Sequence, residues 1–282
     1  MASKKTAPAK KKTAPAKTAA PAKAKAAAPS PKVTKSALRA AFDRAREGHV
    51  DEALPTLEAA CSAGSAEAAY ALAEIHAFRG EWDRALDRLL EMLPNEGEIY
   101  AGNVKRDAAG LAWRGAEETQ RWKDAEKIVA GLDENAVGGV MHETLLAHLK
   151  RGGKGAAPQL TYSLYESEGE LRKAYARAKA AAGDDAFSRF LAAADDALFD
   201  ADAVAAFDAA LPELDQYDYV LSGARACARR GKLDQGWMAV HDKLDLWMNV
   251  EHCQIVPAEL VWDPSLRTMM TPERCAAVLA RS

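Results

Sequence analysis

The side chains that could carry chemistry gather most densely at residues 241–253, where His241, Asp242, Asp245, Glu251, His252 and Cys253 stand close together. Two imidazoles, three carboxylates and a thiol are the ligand types of a zinc site, or the acid and base of a hydrolytic one, provided that three or four converge on one point. On one helix His241 and His252 would be three turns apart, roughly 16 Å, so convergence needs the chain to fold back near residue 250. Asp245, one turn from His241, could pair with it. The competing reading is structural: His241 edges an apolar stripe and Cys253 packs as a small hydrophobe. HETLLAH at 142–148 carries two histidines six apart. A zinc-protease pair needs a spacing of four to share a helical face, so His142 and His148 are excluded from that role. RGGKGAAP at 151–158 offers glycines and Lys154, but Gly155 follows where a phosphate loop needs Ser or Thr. The expectation is a non-enzyme with no catalytic residues, no cofactor and no metal.

The second kind of chemistry is charge. Residues 1–36 hold ten lysines and no acid, among them Lys4, Lys5, Lys10, Lys11, Lys12, Lys17, Lys23 and Lys25. The net charge of −3 therefore hides a body with 28 bases against 41 acids. Prolines recur every few residues, like charges repel, and Val33 is nearly the only sizeable apolar side chain, so residues 1–35 are expected to be a disordered tail. Each lysine can displace a counterion from a phosphate backbone; about six of them on duplex DNA would give a salt slope of roughly −5. The tail's composition resembles the Lys/Ala/Pro-rich tails of linker histones and bacterial histone-like proteins, which implies contact with DNA, RNA or another polyanion. A solubilising tail, or one folded back on the acidic body, are the readings beside it; the lack of arginine speaks against a mitochondrial presequence. No apolar run approaches 18 residues, which predicts no membrane span. The four cysteines show no paired spacing, which fits a reduced compartment. The expected location is cytoplasmic, or nucleoid- or nucleus-associated.

The elements that must position these groups read as helices. AEAAYALAEIHAFRGEWDRALDRLLEML at 66–93 is two short amphipathic helices around Gly80. The first carries Ala69, Leu72, Ala73 and His76 on one face; the second carries Trp82, Leu86, Leu89, Leu90 and Leu93 and is expected to stop at Pro94. Residues 36–64 make an earlier pair, with Ser36 and Asp51 as expected N-caps, Gly48 between them and Pro55 in the second helix's first turn. GHVDEAL at 48–54 and GEWDRAL at 80–86 share one turn pattern. QRWKDAE at 120–126 and GKLDQGW at 231–237 keep parts of it. Further helices are expected at 136–150, 167–182, 186–198, 201–211, 217–230 and 233–250, the last with Leu233, Trp237, Val240, Leu244 and Trp247 as its stripe.

These turns resemble the tetratricopeptide repeat, a helix–turn–helix unit that stacks into a solenoid. The residues carrying the resemblance are the turn glycines Gly48, Gly80 and Gly231, the small residues Ala53, Ala85 and Ala125, and the aromatics Trp82 and Trp122. The repeat length drifts, the usual Leu-Gly pair is Leu72-Ala73, and the closing proline is displaced or missing. The expected architecture is all-α: a tail over 1–35, degenerate repeats over 36–150, further helical hairpins over 159–250, and a C-terminal cap over 251–282 that covers the solenoid's last apolar face. Ten acids opposed only by Arg189 mark 183–218 as an acidic face. The resemblance implies a groove for a protein or peptide partner. An inhibitor or immunity-type protein that meets a basic partner through the acidic face, and an enzyme using the C-terminal His and acid cluster, are the alternatives.

Overall fold

The structure is a computed structural model that describes residues 33–99, 102–155, 211–213, 217–247 and 252–281. The lysines named in the tail, most of the acidic run, Glu251 and the helices expected within 156–210 lie outside the described residues. Those that are described are helical, with no strand among them. Helices α1 (Lys35–Arg46) and α2 (Val50–Ser62) form a first hairpin, α3 (Ala66–Phe78) and α4 (Trp82–Met92) a second, and α5 (Gly102–Thr119) and α6 (Trp122–Gly131) a third. Each of the first five packs on its successor. The short α7 (Glu134–Val137) and α8 (Gly139–Lys150) follow, with α6 packed on α8, then the hairpin α9 (Tyr217–Arg229) and α10 (Leu233–Asp242). The described chain closes with α11 (Glu259–Trp262), a 3-10 turn at Leu266–Met269 and α12 (Pro272–Ala280).

Turn chemistry sets the hairpins. Gly48, Gly80 and Gly231 all take positive φ, at 91°, 71° and 71°. At each, the glycine N–H donates three residues back and the next N–H donates five residues back: His49 to Arg44, Glu81 to His76 and Lys232 to Cys227, at 2.8–2.9 Å. This double bond pattern satisfies helix-end carbonyls and turns the chain sharply. Gln120 stands where the third turn would have its glycine and is held at φ 62°. Ala53, Ala85, Ala125 and Gly236, each five residues past such a turn position, are buried. Neighbouring turns are tied by charge, Arg79 to Asp51 at 2.7 Å and Arg121 to Asp87 at 2.7 Å.

Several local boundaries differ from expectation. Thr34, not Ser36, caps α1 by accepting the Ala37 N–H at 3.2 Å. His49 occupies the cap position of α2, which places Asp51 inside the first turn and Pro55 in the second. α4 does end at Met92, just before Pro94, as expected, and a 3-10 turn, Leu93–Glu98, continues the winding because proline is tolerated at the start of a new turn. Gly138, at φ 95°, splits the helix expected at 136–150. The helix expected to reach 250 stops at Asp242, so Trp247 lies beyond it. The largest difference concerns α3: every residue but Glu67 is buried, so it has no solvent face. A helix apolar on all sides sits between neighbours.

Gly48 joins the first turn to α12. A β-carbon on it would meet the backbone carbonyl of Ala280, and its φ disfavours any side chain. Gly48→Ala is expected to cost about 2 kcal/mol or more in urea unfolding, whereas Gln120→Gly should gain about 1 kcal/mol by relieving a left-handed residue.

Candidate functional site

Residues 252–281 do more than cap the last hairpin. The 3-10 turn touches α9 and α10, but α11 packs on α5 and α12 packs on α3. The reason lies in α3 and α5, whose exposed apolar faces would otherwise be left in water. Ile255, Val256, Leu260, Val261 and Trp262 are all buried in this contact layer. The covered side of α3 and α5 is called the inner face here. It grips an irregular piece of chain, residues 253–258, and then one helical turn.

The grip is polar at its centre. Glu74 of α3 accepts the Ile255 N–H at 2.6 Å through Oε2. Asp107 of α5 accepts the Trp262 indole N–H at 3.1 Å. Gly110, one turn further along α5, lies directly under the Trp262 ring, where a β-carbon would overlap the indole. Arg225 of α9 donates to Glu259 at 2.7 Å and to Asp263 at 2.8 Å, and Arg106 reaches the other oxygen of Glu259 at 3.2 Å. Asp263 also accepts the N–H groups of Ser265 and Leu266, which starts the 3-10 turn. Burial pushes the Glu74 carboxyl well above the carboxylate range, against the pull of the Ile255 N–H. Burial, with the Glu259 charge, pushes Asp107 up to about 8. Burial likewise raises the enclosed Tyr70 hydroxyl one turn from Glu74.

Three arginines seven residues apart complete the attachment. Arg267, Arg274 and Arg281 lie over the rings of Trp113, Trp237 and Trp247, at 5.3, 5.4 and 5.1 Å from the ring centroids. Arg267 also pairs with Glu117 at 2.6 Å, and Arg274 with Asp234. Stacked guanidinium groups with a carboxylate partner hold position better than a surface ion pair alone.

Beside this layer a cleft of about 780 Å³ opens between the turns at 48–52 and 79–82, Arg114 and Arg267, and one side of α12. Val50, Phe78, Val261 and Leu279 line its floor, and Trp82, stacked under Arg114 at 5.8 Å, lines a wall. Gly48, Gly80 and Trp82, singled out from the sequence as repeat positions, thus border this cleft. Trp122 is placed elsewhere, bonded through its indole N–H to Gln120 at 3.1 Å and packed against Gly153.

The residues first singled out for chemistry are dispersed. His241 packs on Trp237 at 5.1 Å between centroids and lies 3.7 Å from Asp242. His252 is exposed and Cys253 buried. Among the described residues no group of three His, Cys, Asp or Glu is arranged to hold a metal ion. His142 bonds the Val129 carbonyl at 2.9 Å, and His148 lies edge-on to Trp113 and Trp122. Cys61 donates to Glu91 at 3.0 Å, and burial pushes its thiol up to about 12, far from a thiolate. Sequence reasoning missed Glu74, Asp107 and Gly110. The available signal was slight: Glu74 sits inside the mostly apolar run 68–78, whereas Asp107 directly follows Lys105 and Arg106.

No protein-family model matches this chain, and neither the curated proteins nor the solved structures contain a match to it. No described helix is long and apolar enough to cross a membrane.

Gly110→Ala tests the grip directly. It should cost about 1–3 kcal/mol in urea unfolding by overpacking and should broaden or shift the Trp262 indole N–H resonance while leaving that of Trp122 in place.

Proposed function

We propose that this chain is a non-catalytic protein-interaction scaffold, built from degenerate tetratricopeptide-like hairpins stacked as a solenoid and carrying a polybasic tail for a second, electrostatic attachment. One observation supports this above the others: the inner face of α3 and α5 holds a non-helical chain segment by a buried main-chain bond, Ile255 N–H to Glu74, and an aromatic anchor, Trp262 over Gly110. A helical groove takes a partner segment through such pocketed apolar anchors. Here the chain's own residues occupy the inner face. The cleft beside the turns, with its apolar floor and Trp82 wall, is the surface left open to a partner. The tail lysines would add a weak contact with DNA, RNA or another polyanion, and two weak attachments raise effective concentration without any new interface.

Crosslinking and mass spectrometry separate the two attachments. A partner that crosslinks to residues 48–52 or 79–82, persists when residues 1–35 are deleted and is lost on Trp82→Ala supports the scaffold. Failure of Trp82→Ala to change any reproducible crosslink removes the cleft from this reading. For the tail, duplex DNA binding should weaken with a log–log salt slope of roughly −5 and vanish on deleting residues 1–35. Binding that survives the deletion assigns the contact to the body instead.

A further inference from the structure

Residues 253–262 are attached to the inner face through two carboxyl groups that water does not reach. Glu74 is fully buried, and its Oε1 has no hydrogen-bond partner among the described residues. The groups around it are Tyr70 on its own helix, Asp107 from α5, Cys253 and the Ile255 and Val256 N–H groups from the segment, and Arg281 from the end of α12. Only Arg281 is a cation, and it bonds the Leu244 and Ile255 carbonyls rather than Glu74. Asp107 is faced by Arg106 on α5, Arg225 on α9, and Glu259 and the Trp262 indole on the segment. Both arginines are already bonded to Glu259. An ionised carboxylate at either position would therefore be buried beside other acids without a cation of its own, which costs several kcal/mol unless a proton neutralises it.

We propose that residues 253–262 are a proton-coupled strap: they lie closed over the inner face while Glu74 and Asp107 are protonated, and they open when these two groups ionise. Lifting the segment would admit water to both carboxyl groups, which would then return to the ordinary carboxylate range. Closing the strap takes up protons, so closure is favoured at low pH and progressively lost as pH rises from about 4.5 toward the raised values of the closed state. The sign follows from linkage: the closed state binds more protons, so the closed-to-open ratio falls with pH, by tenfold per pH unit for each carboxyl that titrates on opening. Where both groups titrate on opening, the ratio changes by up to about a hundredfold per pH unit, and the share from Asp107 declines above about pH 8 as it ionises in place. The strap's consequence rests on the reading of the inner face as a recognition surface. Opening would expose that face to a partner segment, so the strap would act as a pH-dependent internal competitor.

The test needs no partner and so stands apart from that reading. Amide hydrogen exchange of the full chain, corrected for the intrinsic rate, is followed from pH 5.5 to 9. Protection of the Ile255 and Leu260–Trp262 amides should fall by at least tenfold per unit, while amides within α6 keep a lesser slope. Glu74→Gln and Asp107→Asn each keep an acceptor for the strap, and each should remove one proton from the coupling, leaving the double variant flat. If either variant does not fold, the wild-type slope and the other variant still decide. Flat protection in the wild type overturns the proposal, as does a strap slope equal to that of α6, which would mean global unfolding, or a slope unchanged by the variant that folds.

Discussion

The structure depends on how α3 is enclosed. A helix with no solvent face must be covered on every side, and its sequence neighbours α2 and α4 cover only part of it. Residues 252–281 supply the rest, and this requirement shapes what surrounds them. Gly110 is small because an indole must lie on it, Gly48 because the end of α12 must reach the first turn. Arg225 is half-buried where Glu259 and Asp263 arrive together. The hairpins supply the frame, and the terminal segment makes one contact layer from it.

The scaffold reading follows from the same geometry rather than from a recognised site. What the inner face holds is an irregular segment with one aromatic anchor; Glu74 and Asp107 accept main-chain and indole N–H groups, and Arg106 meets the Glu259 carboxylate. Such contacts ask the bound sequence for one large ring, a free N–H and one acid. The cleft at the turns is different in kind: apolar below, with arginines and carboxylates already paired around it. It offers shape and apolar area more than net charge.

The hairpins were legible because their determinants are local. Gly48, Gly80 and Gly231 announce left-handed turn positions within a few residues of the apolar stripes they join. Caps and helix ends were less so: Thr34 and Ser36 are both good caps, and the choice between them rests on where the chain first finds packing. The C-terminal segment was legible as a separate terminal piece, but not in where it goes. Its partners Glu74 and Asp107 lie more than 150 residues away, and no periodicity encodes such a pairing. The His and acid cluster at 241–253 illustrates the complementary point. Nearness in sequence is not convergence, and the end of α10 at Asp242 sends its members different ways.

The long reach of the segment also orders events in time. On a chain made from its N-terminus, α1 to α6 can pair with their neighbours as they appear, since each hairpin closes over short loops. The inner face cannot be finished until Ile255 and Trp262 have been made, 181 residues after Glu74 and 155 after Asp107. For that interval α3 and α5 carry an apolar surface with two acids at its centre, and contacts of such separation form slowly. The nascent protein is therefore a sticky intermediate for most of its synthesis. Ile255 and Trp262 end that exposure, and the stacked arginines at 267, 274 and 281 then clasp the covering segment in place.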